Sequence, residues 1–268
     1  MRFAVLTLVL FAFGARAAGE DVPFVVTPDS VTIAMLQLAK VGPEDYLMDL
    51  GSGDGRIVIT AARRFGARGM GIEIRDDLVE KSRASAAAAG VGSRASFRNQ
   101  DLFKTDLSPA SVITLYLLPE VNLELRPKLL QLRPGTPIVS HDFDMGDWEP
   151  DKVQALDAPD KPIGLEKKSK IFLWIVPARV EGLWCGTGKS RDRSLTVAQR
   201  YQHVRIDVPA ETAVRALEGR INGSVIRTRS GTLNLAFDGQ KLRTTYAGGT
   251  NAGLKGATFV RAKGQSCG

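Results

Sequence analysis

The run Asp49-Leu50-Gly51-Ser52-Gly53-Asp54-Gly55-Arg56 sets three glycines at alternate positions behind an acid. Glycine lacks a Cβ and reaches φ/ψ values closed to other residues, so such a run lets backbone come close to a ligand. An apolar stretch, Tyr46-Leu47-Met48, precedes it, and Ile57-Val58-Ile59 with Ala61-Ala62 follows, which predicts strand, turn and helix N-terminus. A helix start adds unpaired N–H groups. A dinucleotide fingerprint wants a third glycine at position 56, where this chain has arginine. Further on, Gly69-Met70-Gly71-Ile72-Glu73-Ile74 carries a carboxylate 24 positions after Asp49. An acid at the tip of the second strand of a βαβ unit is placed to accept hydrogen bonds from both hydroxyls of a ribose. A second constellation, Ser140-His141-Asp142-Phe143-Asp144-Met145-Gly146-Asp147-Trp148, gathers a histidine, three aspartates and two aromatics. Carboxylates beside aromatic rings attract and orient a cationic amine. His141 or Asp142 can accept the proton that an amine must lose before it attacks. The plainer alternative is a polar loop with Trp148 packed on a sheet edge.

These residues need a frame. Thr27-Pro28 followed by Val31, Met35, Leu36 and Leu38 predicts a helix with Thr27 as N-cap and Pro28 at its first position. Asp76-Asp77 open an alanine-rich helix closed by Gly90, the expected polarity of charge and cap. A third strand over 95–98 runs into Asn99-Gln100-Asp101-Leu102, and a fourth apolar run, Val112 to Leu118, ends at Pro119. A helix over 120–132, a fifth strand over 137–140 and an apolar strand over 170–176, closing the sheet, complete the series. Strands alternating with helices predict an α/β fold, a parallel sheet wrapped by helices.

The acids ending the first three strands, with Asp-Leu-Gly-Ser-Gly-Asp-Gly-Arg, Gly-Ile-Glu and Asp-Leu-Phe-Lys-Thr-Asp-Leu-Ser (101–108), resemble the class I, S-adenosylmethionine (SAM)-dependent methyltransferases. The combination is most similar to the small protein-lysine methyltransferases typified by the mitochondrial ATP-synthase c-subunit enzyme, over about residues 23–145. The resemblance implies a Rossmann-like sheet, SAM as cofactor and methyl transfer to an amine such as a protein lysine. It implies that Asp49, Gly51, Ser52, Gly53, Asp54 and Gly55 cradle the methionine part, Glu73 the ribose, and Asp101 with Leu102 the adenine, with Thr27 touching the methionine end. The loops after strands four and five then face the acceptor, which makes Tyr116, His141 and Asp142 the candidate catalytic residues. The chain departs from those relatives in its strand-four loop, Tyr116-Leu117-Leu118-Pro119, and in its N-terminus. Other readings are a small-molecule or lipid-head-group methyltransferase, or a SAM-binding envelope protein without turnover. No metal site is expected: there are two histidines and no Cys-x-x-Cys, and Tyr116 stands where a magnesium-dependent site would want an acid.

Met1-Arg2, the apolar run from Phe3 to Phe13 and Ala15-Arg16-Ala17 carry the marks of a secretory signal peptide over residues 1–18. Export to the periplasm or exterior is the expectation, with a retained N-terminal anchor on the cytoplasmic side as the alternative. No apolar run reaches the 18 residues of a membrane span. Cys185 and Cys267 are buried thiols in a cytosolic chain, or a disulfide in an exported one.

Residues 19–177 thus form the expected methyltransferase domain, and 178–268 another kind of chain. Turn dipeptides recur there, Asn222-Gly223, Ser230-Gly231, Asp238-Gly239 and Gly248-Gly249, between alternating stretches such as Thr232 to Phe237. They predict a small antiparallel β barrel or sandwich. This part carries 15 Lys and Arg against 6 Asp and Glu, and all of the chain's +7 net charge originates in it. Arg227, Arg229 and Arg243 would share a face. The expected partner is an anion of some kind, or else the face is merely solvated; the sequence offers nothing on oligomeric state.

Overall fold

The computed structural model describes residues 24–162, 166–210 and 214–267. The signal-peptide expectation, at 1–18, lies outside them. The first part runs α1 (Asp29–Leu38), β1 (Tyr46–Leu50), α2 (Arg56–Phe65), β2 (Arg68–Glu73), α3 (Asp76–Ala88), β3 (Ala95–Asn99), β4 (Val112–Leu115), α4 (Pro119–Leu129), β5 (Pro137–His141), β6 (Lys152–Asp157) and β7 (Lys168–Ile175). These strands make one seven-stranded sheet in the order β3-β2-β1-β4-β5-β7-β6. The first five are mutually parallel, while β7 is antiparallel to both β5 and β6. Burial explains the sequence signal: β1 and β4 are buried at nearly every position and read as continuous apolar runs. The chain order reverses between β1 and β4, and at such a switch point the strand ends open a crevice.

Two expectations need correction here. The strand at Lys168–Ile175 does not close the sheet; β6, absent from the sequence reading, lies outside it. Lys152–Asp157 is an edge strand, charged at both ends with Val153 half exposed, and lacks the apolar run of a central strand. Nor is Thr27 the cap of α1. Helical hydrogen bonding starts at the extended Pro28, whose carbonyl accepts from Thr32 N at 2.8 Å. The cap comes from far along the chain: Asp160 accepts from Asp29 N at 3.1 Å and Ser30 Oγ at 3.2 Å.

The second part is a closed eight-stranded barrel of β8 (Gly182–Gly186), β9 (Ser194–Arg200), β10 (His203–Pro209), β11 (Val214–Asn222), β12 (Val225–Thr228), β13 (Leu233–Phe237), β14 (Lys241–Ala247) and β15 (Thr258–Arg261). Successive strands pair antiparallel and β15 returns to β8. Trp184, Leu195, Ile206, Ile226, Leu235 and Phe259, all without exposure, fill its interior, as expected of a small barrel. Cys185 and Cys267 form a disulfide, Cα to Cα 5.5 Å. Arg227 and Arg243 lie exposed on the outer face and Arg229 follows just past β12. No helix among the described residues is long and apolar enough to cross a membrane.

The loop after β5 joins the two parts. Asp147 binds Arg126 of α4, Arg200 at 2.7 Å and the Tyr201 hydroxyl at 3.2 Å. Glu149 meets His203 at 3.1 Å, and Asp151 meets Arg220 at 3.2 Å. Trp148 is wholly buried, stacked on Tyr201 and tilted against Trp174.

Candidate active site

The strand ends at the switch point open into a cavity of about 790 Å³. Its floor is the glycine loop. Gly51 has φ +74° and Gly53 φ +53°, and a Cβ on Gly53 would lie 2.3 Å from the Phe24 ring. Only glycine therefore lets the loop sit between the cavity and the segment over it. Arg56, where a dinucleotide loop has glycine, has a structural use: its guanidinium forks onto Asp54 at 3.0 and 2.8 Å and reaches the Thr27 carbonyl at 3.0 Å. It ties the glycine loop to the segment before α1 that lies over the cavity. Burial opposes ionisation of Asp54, but this pairing outweighs it and holds the carboxyl below its usual range.

Glu73 ends β2 with its carboxylate among backbone amides. Oε2 accepts from Gly53 N at 2.9 Å, and Oε1 from Ile74 N at 2.9 Å and Arg75 N at 3.0 Å. Oε1 is thereby filled, and a lone pair remains on Oε2 for a ribose hydroxyl. Asp49 is nearly sealed, with Thr114 donating to its Oδ1 at 2.7 Å. Burial pushes its carboxyl up to about 7, against the Thr114 hydrogen bond and with a further push from Glu73 and Asp54. Ser52 Oγ is buried without a hydrogen-bond partner. Asp101 receives Phe103 N at 2.8 Å and lines the far end with Leu102 and Phe103. A buried orphan hydroxyl, a glycine cradle and a ring of acids fit a ligand bearing a positive charge and a ribose.

At the other end stand Tyr116, Asp142, Phe143 and Lys161. Tyr116 leans on His141 with ring centroids 4.0 Å apart, and lies stacked with Phe143 at 6.2 Å. His141 has no exposed surface: Nδ1 lies 3.4 Å from Thr27 Oγ1 and Nε2 2.9 Å from Ser169 Oγ. Burial drives its pKa down to about 4, outweighing the pull of Asp142, so the ring is neutral at neutral pH. It lies behind Tyr116, off the cavity, and its placement does not suit direct proton transfer with a substrate. Thr27, likewise buried, turns its hydroxyl to His141.

The acidic loop also needs correcting. Its three aspartates do not gather around one amine. Only Asp142 lines the cavity; Asp144 accepts from Gly146 N at 2.9 Å, and Asp147 faces the barrel. Trp148 is in the core between sheet and barrel, and not on a sheet edge. The sequence reading missed Phe24, Arg56, Asp160 and Lys161. Arg56 was visible as the residue closing the glycine run; Asp160 and Lys161 gave only the signal of a turn, Pro159-Asp160-Lys161-Pro162.

A sheet of five parallel strands with an antiparallel edge pair, this switch-point cavity, acids at successive strand tips and a glycine cradle define a class I methyltransferase. A family model described as the ANTKMT methyltransferase domain matches residues 49–152. The chain is 45% identical over 134 residues to a protein-lysine N-methyltransferase of Saccharolobus islandicus, covering 49% of this chain and 83% of that one. It is 38% identical over 108 residues to the ATP-synthase c-subunit lysine N-methyltransferase of Homo sapiens, covering 40% of this chain and 46% of that one. The chain thus spans about half the length of its animal relatives. A crystal structure of an RNA methyltransferase from Salinibacter ruber with S-adenosyl-L-homocysteine is 54% identical, with TM-score 0.52, covering 58% of this chain and 96% of that one. The chain belongs to this family of SAM-dependent methyltransferases, and SAM is its cofactor.

Proposed function

We propose that the chain methylates the ε-amine of a protein lysine. The observation that carries this reading is the acceptor end of the cavity, where one carboxylate, Asp142, faces in beside the rings of Tyr116 and Phe143. A carboxylate among aromatic faces suits an ammonium and offers little to a neutral acceptor. The lysine acceptor of the Saccharolobus relative supports it. SAM, when bound, supplies an electrophilic methyl group. The chain's own residues hold and orient: Asp49 offers a negative charge to the cofactor's ammonium, Glu73 accepts from a ribose hydroxyl, Gly51 and Ser52 line the methionine end while Gly53 and Gly55 shape the turn behind them, and Asp101 and Leu102 flank the base. Asp142 orients the acceptor amine and draws its proton away, Tyr116 walls the pocket, and the neutral His141 acts as a positioning residue behind Tyr116. Partial desolvation in the cavity lowers the amine's own pKa and frees its lone pair.

A second reading is methylation of RNA, favoured by the Salinibacter relative and by the basic barrel, whose exposed Arg227 and Arg229 suit an anionic partner. Export, with residues 1–18 removed, is supported by the Cys185–Cys267 pair, a bond at home in oxidising compartments. Tritiated SAM offered with poly-L-lysine, with a structured RNA and with phospholipid vesicles separates the acceptors. Label on lysine, located by mass spectrometry, supports the reading; label confined to RNA or lipid refutes it.

A further inference from the structure

The acceptor end of the cavity already holds an ammonium group. Lys161 Nζ donates to Asp142 Oδ2 at 2.6 Å and to the Lys168 carbonyl at 2.7 Å, with its side chain only 14% exposed. Lys161 and Asp142 both line the cavity, with Tyr116 and Phe143. Their placement is built from several sides. The turn carrying Lys161 is pinned to α1 through Asp160, and Lys161 N donates to the Ala158 carbonyl at 2.9 Å. Asp142 sits in the left-handed region at φ 59°, which aspartate tolerates better than most residues. Its Oδ1 accepts from Lys170 N at 3.0 Å, and its Oδ2 faces the ammonium, with Nε2 of the neutral His141 3.4 Å away.

Resting on the lysine-acceptor reading, we propose that the Asp142 carboxylate and the Lys168 carbonyl form the subsite for the acceptor's ε-ammonium. Lys161 is its resident occupant, which the incoming lysine displaces. Lys161 presents the same four-carbon stem and the same three donors as any acceptor lysine, so one ammonium replaces another. The exchange leaves the charge in the cavity unchanged and the mostly buried Asp142 carboxylate paired throughout. A neutral hydroxyl cannot make that exchange, since it brings no charge to Asp142. The displacement therefore selects amines that fill the whole subsite and rejects acceptors that only fit the cavity's shape. Lys161 becomes a specificity-determining residue: it keeps the subsite satisfied between turnovers and sets a threshold for entry.

The probe is n-butylammonium, the end of a lysine side chain, titrated calorimetrically into the full chain with S-adenosyl-L-homocysteine present. Lys161→Met should bind it at least tenfold more tightly than the native chain, and the KM for poly-L-lysine should fall in the same direction. Adding Asp142→Asn to Lys161→Met should abolish the gain. Lys161→Gln, neutral but still able to hydrogen-bond, carries the same expectation should the Met variant fail to fold. Equal binding by native and Lys161 variants, or a gain that survives Asp142→Asn, would overturn the subsite. Poly-L-lysine methylation without a butylammonium gain keeps the acceptor reading and rejects the subsite. A butylammonium gain without methylation of poly-L-lysine by any form does the reverse.

Discussion

Replacing Asp49 by Asn should stabilise the ligand-free protein while weakening its hold on SAM. The Asp49 carboxyl ionises near its ordinary value of 3.8 when the chain is unfolded, but near 7 when folded. Below 3.8 both states are protonated and the residue contributes nothing to pH dependence. Between 3.8 and 7 the unfolded chain gives up its proton while the folded chain keeps it, so stability declines as pH rises. Above 7 the loss is complete and constant. At ~1.36 kcal/mol for each pH step between those two values, the loss comes to about 4 kcal/mol. Asparagine does not titrate, is close in shape, and can still accept the Thr114 hydroxyl that bonds Asp49 Oδ1 at 2.7 Å. Urea unfolding of both forms at intervals from pH 4 to pH 8 should show the Asn variant gaining on the native chain by up to about 4 kcal/mol across that window. Calorimetric SAM titration at pH 8, where Asp49 is ionised in the folded chain, should show weaker binding by the variant, since a charge facing the cofactor is gone. A difference that is flat with pH, or an advantage for the native chain that grows with pH, would refute the burial argument.

Two further outcomes follow from the geometry. Gly53→Ala places a methyl 2.3 Å from the Phe24 ring at positive φ, so SAM affinity should fall more than tenfold, whereas Gly42→Ala, with open space around it, should leave a calorimetric titration unchanged. Cys185→Ser removes a cross-link spanning 82 residues, and the barrel's unfolding transition should lose about 4 kcal/mol; reductant should bring the native chain down to the same value and leave the variant where it is.

Much of this site was legible because its parts follow one another along the chain. The glycine run and Glu73 end buried strands, Asp101 follows the alternating edge strand β3, and a strand's alternation or apolar run marks where its tip falls. The barrel announced itself through its turns, since Asn222-Gly223 and Asp238-Gly239 sit between paired strands, at the hairpin bends. Contacts between distant segments were not legible. Asp160 caps a helix 131 residues upstream, and no local pattern distinguishes it from an exposed turn aspartate. The loop from Asp142 to Asp147 looked like one acidic cluster because its three aspartates are close in sequence. In space the chain passes from the cavity to the barrel within those residues, and the aspartates meet different partners: Lys161, the Gly146 amide, and Arg126 with Arg200. Trp148 misled for the same reason: the side chain that covers it, Tyr201, belongs to the other part of the protein.

The pairing of Cys185 with Cys267 has a topological consequence. Backbone from the first barrel strand to the tail beyond the last forms a closed covalent ring containing β9 to β15. One cut anywhere in that ring, for example at the Asp238-Gly239 turn, opens it without producing two separable fragments. Tension between the methyltransferase half and the C-terminus would pass from residue 185 to 267 through the sulfurs, so the seven strands within the ring carry none of the load.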